Sequence, residues 1–540
     1  MSRIKRVVLV QPRSPGGNFE YVAIPRQGML FLSGALAQWQ GPYLYDREIW
    51  FEDRSGKIDP DKDLDGVDVL MVSALINEVP RGFEIGRLAK EYHPNIITLG
   101  GGPQMGPLPD EAFREGRFDV IVQREAEDII GQLLDVLLTY KGDELEKSLA
   151  KIPGIAFQVN GHTDQTRRTG VISPDLVELP DFYAIRDLTP SKPMAGGVLE
   201  TVRGCTEKCT YCQVIQQFLG YRMVKRETEL KRLAQLRQMA ADGLIHTNKD
   251  GRFSVFVSDD LHPPPLRAVK YRNERLERIK GWKGHSDDMY LICQARAEIG
   301  QDPELSHALQ DIGMEMLYVG VESSNAKNLE LVNKRQDPGQ VHKDMTRLNE
   351  MGFSIVAMTI IGLPYDTEES IMEMADWVTG ISKYQTANLL TPLPATSNWD
   401  DLVPLDANGD ILPEGEMRPY HLYTGRQLVF QDERWGLEES RRLFNRFQAK
   451  LNPVDHLYAR LFRLIERYRI RLAAKSEGLS ETLSYRRKEL ATTGRELTES
   501  ISTRVNELGE ALKDRIDSSK KRLLTGNTLK IAPPRPASRE

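Results

Sequence analysis

Three of the four cysteines in this 540-residue chain fall within eight residues. Cys205 is followed by Cys209 after three residues and by Cys212 after two more. Thiolates this close wrap a loop around one compact object. Three of them satisfy three corners of a cubane iron–sulfur cluster, whose fully protein-ligated form takes four, and the fourth iron is left open for another ligand. Gly204 lets the chain turn into the loop, and Tyr211 places an aromatic wall directly before the last cysteine. A structural zinc site would need a fourth Cys or His at short range, and the nearest, His246, lies far along the chain. The triplet favours a cluster over zinc or inert thiols.

Elements able to position such a loop are legible on both sides of it. Residues 1–145 alternate apolar runs, at 7–10, 67–73, 95–99 and 118–122, with helical patterns at 28–39, 82–92 and up to Tyr140. Continuous apolar runs of this kind are the mark of buried parallel strands. Their alternation with helices predicts a doubly wound sheet with ligands at the carboxyl ends of its strands. Residues 146–192 read as a linker containing a small hairpin turned at Asn160-Gly161. From 193 to 395, strands at 253–258, 290–293, 316–321, 354–361 and 386–390 alternate with helices, the longest at 227–242. They end in Asp259-Asp260, Gln294-Ala295-Arg296, Glu322-Ser323, Gly362-Leu363-Pro364 and Thr391. Polar residues at successive strand ends predict a (β/α) barrel with its site on that face, and about six units are present where a closed barrel needs eight. Cys293, inside an apolar strand, reads as a buried core thiol.

The C-x-x-x-C-x-aromatic-C pattern of Cys205, Cys209, Tyr211 and Cys212 resembles the radical S-adenosylmethionine (SAM) superfamily. That resemblance implies a [4Fe–4S] cluster whose open iron chelates SAM, and reductive cleavage of SAM to methionine and a 5′-deoxyadenosyl radical, chemistry that belongs to the cofactor while the protein positions it. Upstream, Pro25-Arg26-Gln27-Gly28, Leu32-Ser33-Gly34, Ser73, the Gly100-Gly101-Gly102-Pro103 turn and Val122–Glu127 fall in an order similar to the cobalamin-binding domain found before many radical SAM cores. The likeness implies that Ser73, Gly100, Gly101, Gly102 and Glu125 lie against cobalamin. Two departures stand out. The D-x-H-x-x-G motif is absent, and His93 reads as a solvated surface residue. Arg124 and Ala126 flank Glu125, with Arg124 where a G-E-x-E turn has glycine. In the core, the resemblance implies SAM contacts for Tyr211, Glu322, Arg296, Asp260 and Gly362, against the plainer reading of strand-end ion pairs. Arg222 and Arg226, just past the loop, read as holders of an anionic group or as surface charge.

The expected architecture is α/β: a doubly wound, Rossmann-like cobalamin-binding-type domain (1–145), a linker (146–192), a partial (β/α)6 TIM-like radical SAM barrel (193–395), a cap region (396–475) whose helices at 437–472 close over the barrel mouth, and an amphipathic helical tail with a disordered end (476–540). Asp406-Ala407-Asn408-Gly409-Asp410 lacks the later Glu of a calcium loop and reads as a turn. The expected activity is cobalamin-dependent methyl transfer to an unactivated carbon. The alternatives are ring formation, oxidation or C–C coupling of a lipid or tetrapyrrole, and a non-catalytic sensor of iron or SAM.

Composition narrows the partners. The net charge of −6 conceals an asymmetry: the last 100 residues hold 23 Lys+Arg against 12 Asp+Glu, leaving −17 for the preceding 440. The bulk of the chain is therefore no nucleic-acid binder on charge grounds. Four cysteines in so long a chain exclude a disulfide scaffold, and an oxygen-sensitive cluster points to reducing cytoplasm. No cysteine precedes Cys205 to hold a second cluster. The expected partners are a small molecule of apolar character and a reductant such as flavodoxin or ferredoxin. In the tail, Leu497, Ile501, Val505, Leu508, Leu512 and Ile516 form one apolar stripe, read as an oligomerisation or docking helix, with peripheral membrane contact as the second reading.

Overall fold

The computed structural model describes residues 3–13 and 24–451, all within a unit spanning 1–453. The expectations for the C-terminal tail lie outside the described residues.

The N-terminal sheet contains strands β1 (Ile4–Gln11), β2 (Leu44–Phe51), β3 (Val69–Ser73), β4 (Ile97–Gly101), β5 (Val120–Val122), β6 (Ile155–Val159) and β7 (His162–Gln165), in the spatial order β2-β1-β3-β4-β5-β6-β7. The first five are mutually parallel, and the strand order reverses between β1 and β3. The sequence reading missed β2. Its LYDREIWF carries three consecutive charged residues because it is an edge strand paired only to β1, so the continuous apolar signature of a central strand is lost. The Asn160-Gly161 hairpin forms with positive φ at both turn residues, and it adds β6 and β7 antiparallel to β5, extending this sheet.

The second sheet contains β8 (Gly197–Leu199), β11 (Phe253–Val257), β12 (Met289–Ala295), β13 (Met314–Glu322), β14 (Ser354–Ile361) and β15 (Tyr384–Leu389), parallel and in sequential order. It is the open, six-stranded barrel that the pattern predicts. Between β8 and β11, the short antiparallel pair β9 (Val202–Arg203) and β10 (Arg222–Met223) forms the stem of the cysteine loop. One apolar core joins residues of both sheets, Leu9 and Phe31 with Val198 and Leu236 among them, so the two layers cannot separate without exposing it.

The segment after the barrel differs from the expected cap. Tyr420, Tyr423 and Val429 pack with Val8, Phe83 and Phe113 of the N-terminal domain, and the Tyr420 hydroxyl donates to Glu111 Oε2 at 2.7 Å. Arg434 Nη1 donates to the carbonyls of Leu363, Pro364 and Asp366 at 2.7, 3.0 and 2.9 Å, holding this segment against the carboxyl end of β14. The helix Leu437–Leu451 does not close the barrel mouth. Its apolar face, Leu443, Phe444 and Phe447, packs on helix Glu368–Ile381 and β15 instead. Asp406 accepts from the amides of Asn408 and Asp410, as a turn.

Candidate functional site

The cysteine loop leaves the β9–β10 stem through Gly204. Its φ of +85° is open to glycine, and a Cβ there would strike the Gly220 carbonyl across the stem. Cys205, Cys209 and Cys212 are all unbridged and at least half-buried. Burial pushes the Cys205 thiol up to about 11 and that of Cys212 to about 12, and it raises Cys209 as well. The negative charges of Cys205 and Cys209 also disfavour ionisation of Cys212, so the three sulfurs share one microenvironment. Thiols held this way are neutral alone and become thiolates when metal displaces their protons. Among the described residues no three Cys, His, Asp or Glu side chains group closely enough to hold a single ion. A cubane instead places each thiolate on its own iron, so the donor set fits a [4Fe–4S] cluster.

Around the loop, the Tyr211 hydroxyl donates to Glu322 Oε1 at 2.9 Å, and Lys334 Nζ donates to the same oxygen at 2.6 Å. Glu322 sits where the β13–β14 register shifts, with φ +58°, a left-handed conformation costly for a side-chain-bearing residue and typical of functional positions. Lys334 escaped the sequence reading. It follows β13 by twelve residues, and only the fold brings it back. Asp260 accepts from the Gly204 amide at 3.0 Å, and burial pushes its carboxyl up to about 7. Its neighbour Asp259 is fully buried, accepts from the Thr201 and Val202 amides at 2.6 and 2.8 Å, and pairs with His262 at 2.8 Å. Of the Asp-Asp pair, Asp259 braces the stem and Asp260 faces the loop.

The structure places the other expected SAM residues in closed networks. Arg296 is buried and donates to Glu298 (2.7 Å), Glu207 (3.4 Å) and the carbonyls of Lys334 and Arg335. The Gly362 and Leu363 amides both point at Asp366 Oδ2, each at 2.9 Å. Arg226 lies against Gly281. Cys293 is a buried core thiol, its Sγ donating to the His262 carbonyl at 3.3 Å. His93 contacts the carbonyls of Pro60 and Asp61 in a partly exposed turn.

At the carboxyl end of the N-terminal sheet, where the strand order reverses, lies a largely apolar cavity of about 420 Å³. Ser73, Gly100, Gly101, Gly102 and Glu125 all line it, together with Gln11, Arg26 and Gln27. Gly102 has φ +87°, and a Cβ there would lie 2.5 Å from Ser73 Oγ, so backbone forms this wall by necessity. That cradle fits the edge of a planar macrocycle approaching main chain. The cavity's far wall is Gln213, Val214, Gln217 and Phe218, the residues directly after Cys212.

Glu125 does more than line the cavity. It accepts from Arg203 Nη1 at 2.8 Å and pairs with Arg222 Nη2 at 2.9 Å, the two arginines facing each other across the β9–β10 stem. Arg203 also meets Glu127 at 2.7 Å and Glu200 at 3.0 Å, and Gln27 donates to Glu200 at 2.9 Å. Burial opposes the Arg203 charge, but Glu200 and Glu127 outweigh it and hold the guanidinium firmly protonated. Arg222, open between two readings in the sequence, is thus a half-buried partner of Glu125.

Residues 199–378 match the family model described as Radical SAM superfamily. The chain is 22% identical over 411 residues to an uncharacterized methyltransferase, PH0819, of Pyrococcus horikoshii, covering 74% of this chain and 83% of that one. It is 22% identical over 330 residues to the hopanoid C-3 methylase of Methylococcus capsulatus, and spans 58% of that protein's length. Its fold is similar to the radical SAM methyltransferase TsrM of Kitasatospora setae, solved with cobalamin and a [4Fe–4S] cluster (TM-score 0.55, 14% identity, 75% of this chain and 78% of that one). It is also similar to the cobalamin-dependent radical SAM enzyme OxsB (TM-score 0.56, 18% identity, 86% and 61%). With the cysteine loop and the open barrel in place, residues 199–378 form a radical SAM domain. The fold of the described chain is similar to that of enzymes in which a cobalamin-binding domain precedes such a barrel.

Proposed function

We propose that this enzyme is a cobalamin-dependent C-methyltransferase acting on an unactivated carbon of a small molecule. The observation that carries the reading is the shared wall: the residues following Cys212 close the Rossmann cavity, so a macrocycle held there lies beside the cluster loop. The likeness to two hopanoid methylases supports methylation. The likeness to the anaerobic magnesium-protoporphyrin IX monomethyl ester cyclase of Cereibacter sphaeroides supports ring formation as the second reading. When bound, the cofactors supply a transferable methyl group and the radical that opens a C–H bond.

The chain's own residues hold and shield them. Cys205, Cys209 and Cys212 ligate the cluster. Glu322, oriented by Tyr211 and Lys334, offers a carboxylate edge beside the loop to an amino or hydroxyl group of SAM. The Gly102 turn admits the macrocycle edge, and the apolar cavity keeps water away from it. Electrons arrive from a small reductant of the flavodoxin or ferredoxin kind.

The test is anaerobic reconstitution of the full chain with iron, sulfide and hydroxocobalamin, followed by metal analysis and reduction in the presence of SAM labelled in its methyl group. About four irons and one cobalt per chain, 5′-deoxyadenosine, and label appearing on the bound cobalamin are the expected results. Iron with 5′-deoxyadenosine but no cobalt would refute methyl transfer through cobalamin. No 5′-deoxyadenosine under any condition would return the sensor reading.

A further inference from the structure

A second, larger cavity of about 680 Å³ adjoins the first and shares Arg124, Gln213 and Gln217 with it. The walls come from the end of β5, the β6–β7 hairpin, the segment after Cys212, and Ala395 just past β15, so it borders both the cofactor cavity and the barrel. Its chemistry is different. Amide side chains dominate, and among the described residues no Asp or Glu lines it while three guanidinium groups do. Arg168 is held by Asp128 through two bonds of 2.8 and 2.9 Å. Arg124 and Arg167 make no ion pair or side-chain hydrogen bond among the described residues, leaving two uncompensated positive charges on one concave, amide-rich surface. Arg124 is half-buried, and it stands where the resembled G-E-x-E turn has glycine. The cation is this chain's addition to that turn.

From this we infer that the second cavity is a subsite for an oxyanion, a phosphate or carboxylate, carried by the substrate. Guanidinium groups with no competing carboxylate bind such groups through paired N–H donors, and glutamine amides donate to the remaining oxygens. A substrate anchored there would extend past Gln213 and Gln217 toward the space between the cofactor cavity and the cluster loop. The inference rests on the proposed function for the word substrate. The anion site itself does not. The other source of the same chemistry is the nucleotide-loop phosphodiester of cobalamin, and the experiment separates the two.

The cofactor-free full chain is titrated with inorganic pyrophosphate, hydroxocobalamin and hydroxocobinamide, which lacks the phosphodiester, in the wild type, Arg124→Gln, Arg167→Gln and the double variant. Both side chains reach solvent, so the fold tolerates the changes, and the circular dichroism and urea midpoint of each variant check this. The expected result is pyrophosphate binding that weakens at least about tenfold in each single variant and disappears in the double variant, with both corrinoid affinities unchanged in Arg167→Gln, whose side chain lines the second of these two cavities and not the first. Loss of hydroxocobalamin affinity with cobinamide affinity kept would support the anion site and move its ligand to the cofactor. Pyrophosphate that fails to bind the wild type, or binds the double variant equally well, overturns the inference. A chain that binds neither corrinoid would sink the cobalamin reading and leave the pyrophosphate result to judge this cavity alone.

Discussion

Replacing Arg203 by Met tests whether the clamp between the two sheets is electrostatic in the way the structure describes. The side chain is 4% exposed and touches Glu125, Glu127 and Glu200 at 2.7–3.0 Å, and those carboxylates are themselves 1–9% exposed. Met keeps much of the apolar volume above Phe31, over which the guanidinium stacks at 5.4 Å, so the loss is chiefly of charge. Removing one partner of a buried pair costs about 3–5 kcal/mol. A second route caps that cost, because the site can relax by protonating one carboxyl. From a reference value of about 4.3 and 1.36 kcal/mol per unit, doing so at pH 7 costs about 3.7 kcal/mol. Glu200 is the natural acceptor, since burial already raises its carboxyl against the pull of Arg203 and Arg232. In the variant this group has a folded value above its unfolded one. The neutral form is then the favoured one in the fold, and stability is lost as pH rises through the folded value. The deficit against wild type should therefore be about 3.7 kcal/mol at pH 7 and about 1 kcal/mol at pH 5. The assay is urea unfolding of the apo chain at both pH values, with Arg203→Lys as a control that keeps the charge. A deficit equal at pH 5 and pH 7, or below about 1 kcal/mol at pH 7, refutes the argument.

Two further outcomes follow from the geometry. Glu322→Gln keeps the hydrogen bond from Tyr211 and removes the charge that Lys334 neutralises. SAM affinity of the reconstituted enzyme should fall about tenfold with four irons retained, and an unchanged affinity would remove Glu322 from the site. Gly102→Ala forces a Cβ against Ser73 Oγ at a φ of +87°. Hydroxocobalamin binding, followed by absorption after desalting, should be lost or weakened at least tenfold, with an expected strain of about 1–3 kcal/mol. Normal cobalamin loading in that variant would mean the macrocycle does not approach this turn.

Much of this enzyme was decided by local sequence. The cysteine spacing needs no tertiary context, since ligands three or four positions apart converge on one object wherever the loop lies. The parallel strands were visible because burial on both faces gives them continuous apolar runs, as at 7–10 in β1 and 355–358 in β14. The edge strand β2 was invisible for the complementary reason. Which strand-end residues meet was not local at all. Glu322 and Lys334 are twelve residues apart and meet where the chain returns to the end of β13, while Glu125 and Arg203 are 78 apart and are joined by the packing of one layer on another. The resemblance put Glu125 beside cobalamin, and sequence left Arg222 as a holder of an anionic group or a surface charge. Only the fold showed that the two are partners between the N-terminal layer and the stem, because a charge at a layer interface must find its counter-charge from the other layer. The same holds for Arg124. In sequence it is a departure from a motif, and in the structure it is a cation with no ion pair among the described residues, on the wall that two cavities share.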